Sequence, residues 1–430
     1  MKRFLLFVFL LTALSQWSCT DRCEQTRTYK RFVPVTVTLA DIRKGIKTET
    51  GRQLESPAKI YSKGNFLFIN ELKKGIHIID NSNPAAPRIV AFVNIPGNGD
   101  MAVRGDILYA DSYMDLVALN ISNPLNIKEV GRVTDVFPRG QFDGASWFYN
   151  GASSVSLSDQ KLEIVTETLK TDCDGGNYNV WRGDWITFVG VQSSFSSDAS
   201  KSSNTGPTSG QAGSMARFAL YDNYLYTINQ NEMQLFDIKT LEKPVQGAKI
   251  SMNWGIETIF PYKDKLFIGS TTGMHIYDNA NPAQPVKLST FSHVTSCDPV
   301  VVEGNTAYVT LRTGNNCNRG VNVLDVLDVT DLRNPTLIKS YPMQNPHGLG
   351  VDFPNLFICE GTNGLKSLDV SQTMDVKQLQ QINNMNAYDV IPLAGKHLLM
   401  VGKDGLYQFD YSNPSQLRQI SVIPVKRIEI

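Results

Sequence analysis

The segment KGIHIIDNSNP, residues 74–84, recurs in recognisable form seven times, and this repetition limits the possible folds more than any other property of the chain. Its counterparts are residues 113–124 (YMDLVALNISNP), 233–244 (MQLFDIKTLEKP), 273–282 (GMHIYDNANP), 324–335 (LDVLDVTDLRNP), 364–373 (GLKSLDVSQT) and 405–414 (GLYQFDYSNP). Each copy runs a short apolar stretch into an acidic or amide residue and then into a polar turn that usually ends in proline. An Asp or Asn there accepts hydrogen bonds from N–H groups two residues on, and Pro presets φ for the exit, so a strand ends in a defined reversal. The junction residues are Asp80, Asn120, Asp237, Asp278, Asp328, Asp369 and Asp410. Their regular recurrence assigns them to the turn rather than to catalysis, because a group needed once for chemistry has no reason to return in every unit.

Upstream of each copy lies a second apolar stretch, such as NFLFIN (65–70), NYLYTI (223–228) and HLLMVG (397–402), which reads as a strand covered on both faces. The intervals between junction residues are 40, 117, 41, 50, 41 and 41. A period of about 40 residues with several strands per period marks the blades of a β-propeller. The sequence therefore predicts an all-β chain forming a single β-propeller over residues 57–430, with seven blades of four-stranded antiparallel sheets and eight blades as the alternative. The interval of 117 leaves an insertion at about 137–213 whose later part, SSFSSDASKSSNTGPTSGQAG (193–213), is rich in Ser, Gly and Asn. A hidden blade within that insertion is what the eight-bladed alternative requires.

At the amino end, Lys2 and Arg3 precede an apolar run at 4–14 and a polar stretch ending at Cys19. That run is about half the ~20 residues a membrane-spanning helix needs, so residues 1–18 read as a signal peptide. Cys19 stands where bacterial lipoproteins carry their lipidated cysteine, which makes it the candidate for lipidation and for a membrane link through an N-terminal lipid. Residues 19–56 read as a tether with an N-terminal strand, VPVTVTL (33–39), placed to complete a blade begun at the far end of the chain. The expected location is the outer membrane or cell surface, with a soluble periplasmic form as the alternative. Lys plus Arg and Asp plus Glu both number 41, a balance that argues against a nucleic-acid partner.

Longer blocks carry a resemblance. The units resemble the LVIVD-repeat family, and GSMARF (213–218), WGIETIFPYKDKLFIGSTTGMHIYD (254–278), HVTSCDPVVVEGNTAYVTLRTGNNC (293–317) and NPHGLGVDFPNLFICEGTNGLKSLDV (345–370) resemble a subgroup of it, bacterial envelope β-propeller lipoproteins. The resemblance implies a propeller at the cell envelope and no established activity. This chain departs from the family's Asp-x-Ser-Asn-Pro turn at 239–244, before Pro335 and at Thr373.

Two constellations carry candidate chemistry. Cys297 and Cys317 fall in one repeat, and in an oxidising compartment they are placed to form a disulfide stapling the loop RTGNNCNRG (312–320) to its blade. Cys359 reads as a buried small hydrophobe, and Cys23 and Cys173 have no evident partner. Asp100, Arg217, Glu257, Asp298, His347 and Asp389 each fall near the start of an innermost strand, and in a propeller those starts converge on one mouth of the central channel. They form a candidate ligand site for a polar molecule or a divalent cation, with Arg217 available to an anion. The competing expectation is that they satisfy blade backbones and water. DCDGGN (172–177) opens like a calcium loop but has Gly183 where the closing glutamate belongs, and His77 and His275 sit at equivalent strand positions. No catalytic motif is present and no cofactor is expected. The function expected is an exported, monomeric propeller acting as a binding or scaffolding module toward an envelope protein or glycan. An envelope hydrolase or lyase using Asp298, His347 and Glu257 at the channel mouth is the alternative.

Overall fold

Each repeat folds as the apolar pattern requires, into four antiparallel strands joined by tight turns. In the computed structural model, blade 1 consists of Pro57–Lys63, Phe66–Glu71, Gly75–Asp80 and Arg88–Asn94. Six further four-stranded sheets follow at residues 101–133, 218–251, 256–292, 300–342, 349–382 and 387–424. The structure describes residues 22–34, 36–142, 145–149, 151, 154–157, 160–172, 211–293, 299–313 and 321–426. Seven blades form the propeller, and the further four-stranded sheet of residues 37–38, 139–142, 145–148 and 154–157 is not an eighth, because the innermost strands of blades 2 and 3 pack directly against each other.

The blades share local devices. In all seven, the pairing of the third and fourth strands slips by one residue at the same level, for example between Ile78 and Ile79 and between Ser367 and Leu368. Such bulges increase the twist that lets neighbouring sheets fan around an axis. In blades 1, 4, 6 and 7 a glycine stands at the head of the third strand and is sterically required: a Cβ on Gly75 or Gly364 would lie 1.9 or 1.7 Å from the carbonyl oxygen of Val93 or Ile382.

Innermost strands pack against each other in blade order, and blade 7 packs against Pro57–Lys63 to close the ring. The core lies between blades. One apolar cluster joins Phe260, Val302, Tyr308 and Leu356 across blades 4 to 6, and another joins Ile60 and Leu67 of blade 1 to Leu399 and Val401 of blade 7. Sheets buried on both faces explain the nearly continuous apolar strands.

Blade 7 draws all four of its strands from residues 387–424, so the segment at 33–39 does not complete it. Val37 and Thr38 instead pair with Val155 and Ser154, in a small sheet with Arg139–Phe142 and Ala145–Phe148. The amino-side segment still contributes to closure. Lys47–Thr50 extends the outer edge of blade 1, and Leu54 bridges Val425, with Lys426 N donating to Leu54 O at 2.7 Å. These residues belong to one compact unit, 36–156 with 191–430. A second unit, 1–35 with 157–190, contains an antiparallel ribbon of Arg22–Pro34 and Gln160–Asp172 in which Tyr29 Oη donates to Glu167 Oε1 at 2.7 Å.

Register defines two faces. The first strand of each blade starts on the face where the second ends and the third begins, here the upper face; the junction turns lie on the lower one. No helix among the described residues is long and apolar enough to cross a membrane.

Candidate functional site

The first polar cluster at the upper mouth centres on Asp100, just before Met101–Arg104, the innermost strand of blade 2. The residue is 2% exposed. Its Oδ2 accepts from Lys59 Nζ at 2.8 Å and from the Arg217 backbone N–H at 2.7 Å, with Arg217 Nε at 4.0 Å, while Oδ1 accepts from Met101 N at 2.7 Å. Asp111 lies beneath and accepts from Gly99 N, Asp100 N and Asn98 Nδ2 at 2.7 to 2.9 Å. Burial pushes the Asp111 carboxyl up against the pull of Arg217 and these amides. The pairing is dense because a buried carboxylate without donors costs several kcal/mol.

The chain itself occupies part of the channel. Gln211 and Ala212 pair antiparallel with Ser62 and Tyr61 on the inner edge of Pro57–Lys63, and the chain then rises toward the upper mouth. Ser214, Met215 and Ala216 are buried. Ser214 Oγ accepts from Leu349 N of blade 6 at 2.8 Å, and Ala216 O accepts from Ile259 N of blade 4 at 2.8 Å. With the Arg217–Asp100 bond, residues 211–217 tie together blades 1, 2, 4 and 6 through groups that would otherwise be orphaned along the axis.

His347 and Asp389 open the innermost strands of blades 6 and 7. Gly348, between them, packs so closely that a Cβ there would lie 2.3 Å from Asp389 Oδ1. Asp389 is fully buried, and neither carboxylate oxygen has a partner in good hydrogen-bond geometry. Burial pushes its carboxyl up to about 7, only partly opposed by the nearby N–H groups of Val390 and Ser214 and the Lys59 charge. His347 is 6% exposed, its carbonyl accepts from Thr310 Oγ1 at 2.8 Å, and its Nδ1 has no partner. Burial, reinforced by the Arg312 charge, holds this imidazole well below its usual value, so it is neutral at pH 7. Glu257 lies in Ile256–Tyr262, the inner strand of blade 4, close enough for its charge to favour the Arg312 cation.

Of the six mouth residues expected from sequence, Asp100 and Arg217 are in contact, and His347 and Asp389 flank Gly348 as a neighbouring pair. Asp298 lies outside the described residues, as do Cys19, Cys297, Cys317 and residues 173–177. Among the described residues, no group of His, Cys, Asp and Glu is arranged to hold a metal ion. Lys59, Asp111, Ser214 and Arg312 were missed. The available signals were a lone Lys within the apolar PAKIY (57–61) and a lone Arg ending TAYVTLR (306–312). Two buried pairs on the upper side were also missed: Glu71 Oε2 with His77 Nε2 at 2.9 Å, and Glu360 Oε1 with Lys366 Nζ at 2.6 Å. Each glutamate also accepts two backbone N–H bonds from the chain leading into its blade, Glu55 and Ser56 in one case, Gln344 and Asn345 in the other. His275 Nδ1 meets Thr290 Oγ1 at 2.9 Å, and Cys359 is a buried thiol.

The junction residues all lie in turns on the lower face. Asp80, Asn120, Asp237, Asp278, Asp328, Asp369 and Asp410 each accept the N–H of the residue two positions on, at 2.8 to 3.1 Å. Hydrogen bonds from Ser82, with Arg88 beside them, hold Asp80 down at about 2.

The LVIVD repeat model matches residues 58–94 and 98–135, which coincide with blades 1 and 2. No curated protein matches the sequence. Among solved structures, the periplasmic gluconolactonase PpgL of Pseudomonas aeruginosa superposes with a TM-score of 0.50 at 10% identity, covering 88% of this chain and 96% of that one. A protein from Lactobacillus plantarum gives 0.49 at 11% identity over 89% and 96%, and the computationally designed Ika8 protein 0.49 at 8% over 89% and 94%. At such identities the likeness concerns fold alone. The chain is a seven-bladed β-propeller carrying LVIVD repeats in its first two blades.

Proposed function

We propose that this propeller is an exported, lipid-anchored binding or scaffolding module of the cell envelope that engages a protein through its upper face. The observation that carries this reading is where the chain places its additions to the repeat. The insertion after Lys128–Val133 leaves from the upper end of blade 2, and the lengthened loop at 312–322 joins the upper ends of two strands of blade 5. Trp254, in the connection between blades 3 and 4 on the same face, is 62% exposed. An exposed tryptophan is a common anchor of protein interfaces. Support for export comes from Lys2, Arg3, the apolar run at 4–14 and Cys19, and from the resemblance to envelope lipoproteins.

Two measurements test it. Fractionation of cells should find the protein with membranes and move it to the soluble exported fraction in Cys19→Ser. Cross-linking followed by affinity capture should recover a partner that is lost both in Trp254→Ala and when residues 193–210 are replaced by a short Gly-Ser linker, with thermal stability retained. A cytoplasmic location, or a partner held equally by both variants, overturns the reading.

A further inference from the structure

We propose that Arg312, at the upper mouth of the channel, binds a small oxyanion, a carboxylate or phosphate group, through its guanidinium fork with the His347 imidazole alongside. Arg312 follows Leu311, the upper end of Thr306–Leu311 in blade 5. It is 7% exposed, the one arginine among the described residues that is this deeply buried.

The protein's other arginines show what such a group ordinarily requires. Arg43 and Arg132 each meet Asp115 at 2.8 to 2.9 Å, and Arg132 also holds Glu129 at 2.7 Å. Even Arg88 and Arg418, more than 70% exposed, pair with Asp80 and Asp410. Arg312 forms no ion pair with Glu257 and has no hydrogen-bond partner among the described residues. Burial accordingly works against its charge, with Glu257 only partly compensating. A guanidinium carries five N–H donors in a rigid plane, and at the channel mouth those of Arg312 meet no carboxylate among the described residues. That planar fork matches the paired oxygens of a carboxylate or phosphate.

The neighbouring groups fit the same ligand. His347 is on the adjoining blade, 6% exposed, with Nδ1 lacking a partner. An anion on Arg312 would cancel the charge that now opposes imidazole protonation and turn that ring into a second donor. Residues 211–217 fill the axis nearby, so the site suits a small group or the charged end of a larger molecule rather than a chain passing through the channel. This site is independent of the protein partner proposed above.

The test uses the exported chain in chloride buffer, titrated calorimetrically with inorganic phosphate and separately with acetate at constant ionic strength. The measurements are made on wild type, Arg312→Met and Arg217→Gln. The expected result is saturable binding of one or both anions to wild type and to Arg217→Gln, weakened about tenfold or more in Arg312→Met. The anion should also shift the His347 ring nitrogen signals in NMR. Without anion, Arg312→Met should melt higher than wild type, because an unpartnered buried charge has been removed. Three outcomes overturn the proposal: no saturable binding of either anion, equal binding by Arg312→Met, or a lower melting temperature for Arg312→Met in chloride. Loss of binding in Arg217→Gln alone would also overturn it, by placing the anion on the Asp100 cluster.

Discussion

Arg43 donates from Nε and Nη2 to the two carboxylate oxygens of Asp115, both at 2.8 Å, and so clamps the segment before blade 1 onto the third strand of blade 2. Asp115 has no exposed side-chain surface and also accepts from Arg132 Nη1 and Asp135 N. Burial works to raise its carboxyl, but these donors outweigh it and hold the group below its ordinary value. A carboxyl depressed in the folded state stabilises above its unfolded pKa, and that stability is lost as pH falls through the folded one. Asp115→Asn should cost about 3 kcal/mol at pH 7, as breaking a buried pair does. It should also flatten the acid side of the stability curve below about pH 4, read by urea unfolding across pH.

Asp389 has the opposite sign. With its carboxyl raised to about 7 in the folded protein, the folded state holds a proton that the unfolded state releases near pH 4. Stability from this group is full below about pH 4 and declines as pH rises to about 7. Asp389→Asn should therefore gain on wild type between pH 5 and pH 8 by up to about 4 kcal/mol, at ~1.4 kcal/mol per pH unit. Melting curves at several pH values measure this; parallel curves for the two proteins would contradict it.

Glu360 and Lys366 are 0% and 7% exposed in their side chains and 2.6 Å apart. Glu360→Gln or Lys366→Met alone should each cost roughly 3 kcal/mol by stranding the other charge, while the double variant recovers much of the loss. A double-mutant cycle in urea gives the coupling. Additive losses would show that the two charges are satisfied separately.

Gly364 has φ +86 and would carry a Cβ 1.7 Å from Ile382 O. Gly364→Ala should destabilise by several kcal/mol, through displacement of strand Lys377–Ile382 as well as backbone strain. Gly395→Ala, with φ +74 but nothing near the new atom, should cost only about 1 kcal/mol of backbone strain. Comparing their unfolding midpoints separates packing from strain.

Much of the blade was legible because its causes are local. The junction Asp or Asn and the residue two positions on, whose N–H it accepts, act within one sheet and so recur with it. The mouth was legible only in outline. Asp100 and Arg217 could be placed at inner-strand starts by counting from the repeats, but nothing near Arg217 names Asp100 as its partner. Lys59, Ser214 and Arg312 each stand alone in their stretch, with no spacing to mark them. The strand at 33–39 was misplaced because alternation shows that a segment can pair, not which edge will accept it.

The sequence by itself therefore determined the unit and its repetition around an axis, with seven or eight blades both open, since a sheet that is apolar on both faces can be covered only by the same sheet repeated. Only the tertiary structure decided that the blades number seven, that residues 211–217 enter the channel, that Arg43 finds Asp115, and that the most buried arginine among the described residues has no ion pair with a described carboxylate. These groups lie far apart along the chain, and their energies depend on burial and approach, which exist only once the ring has closed.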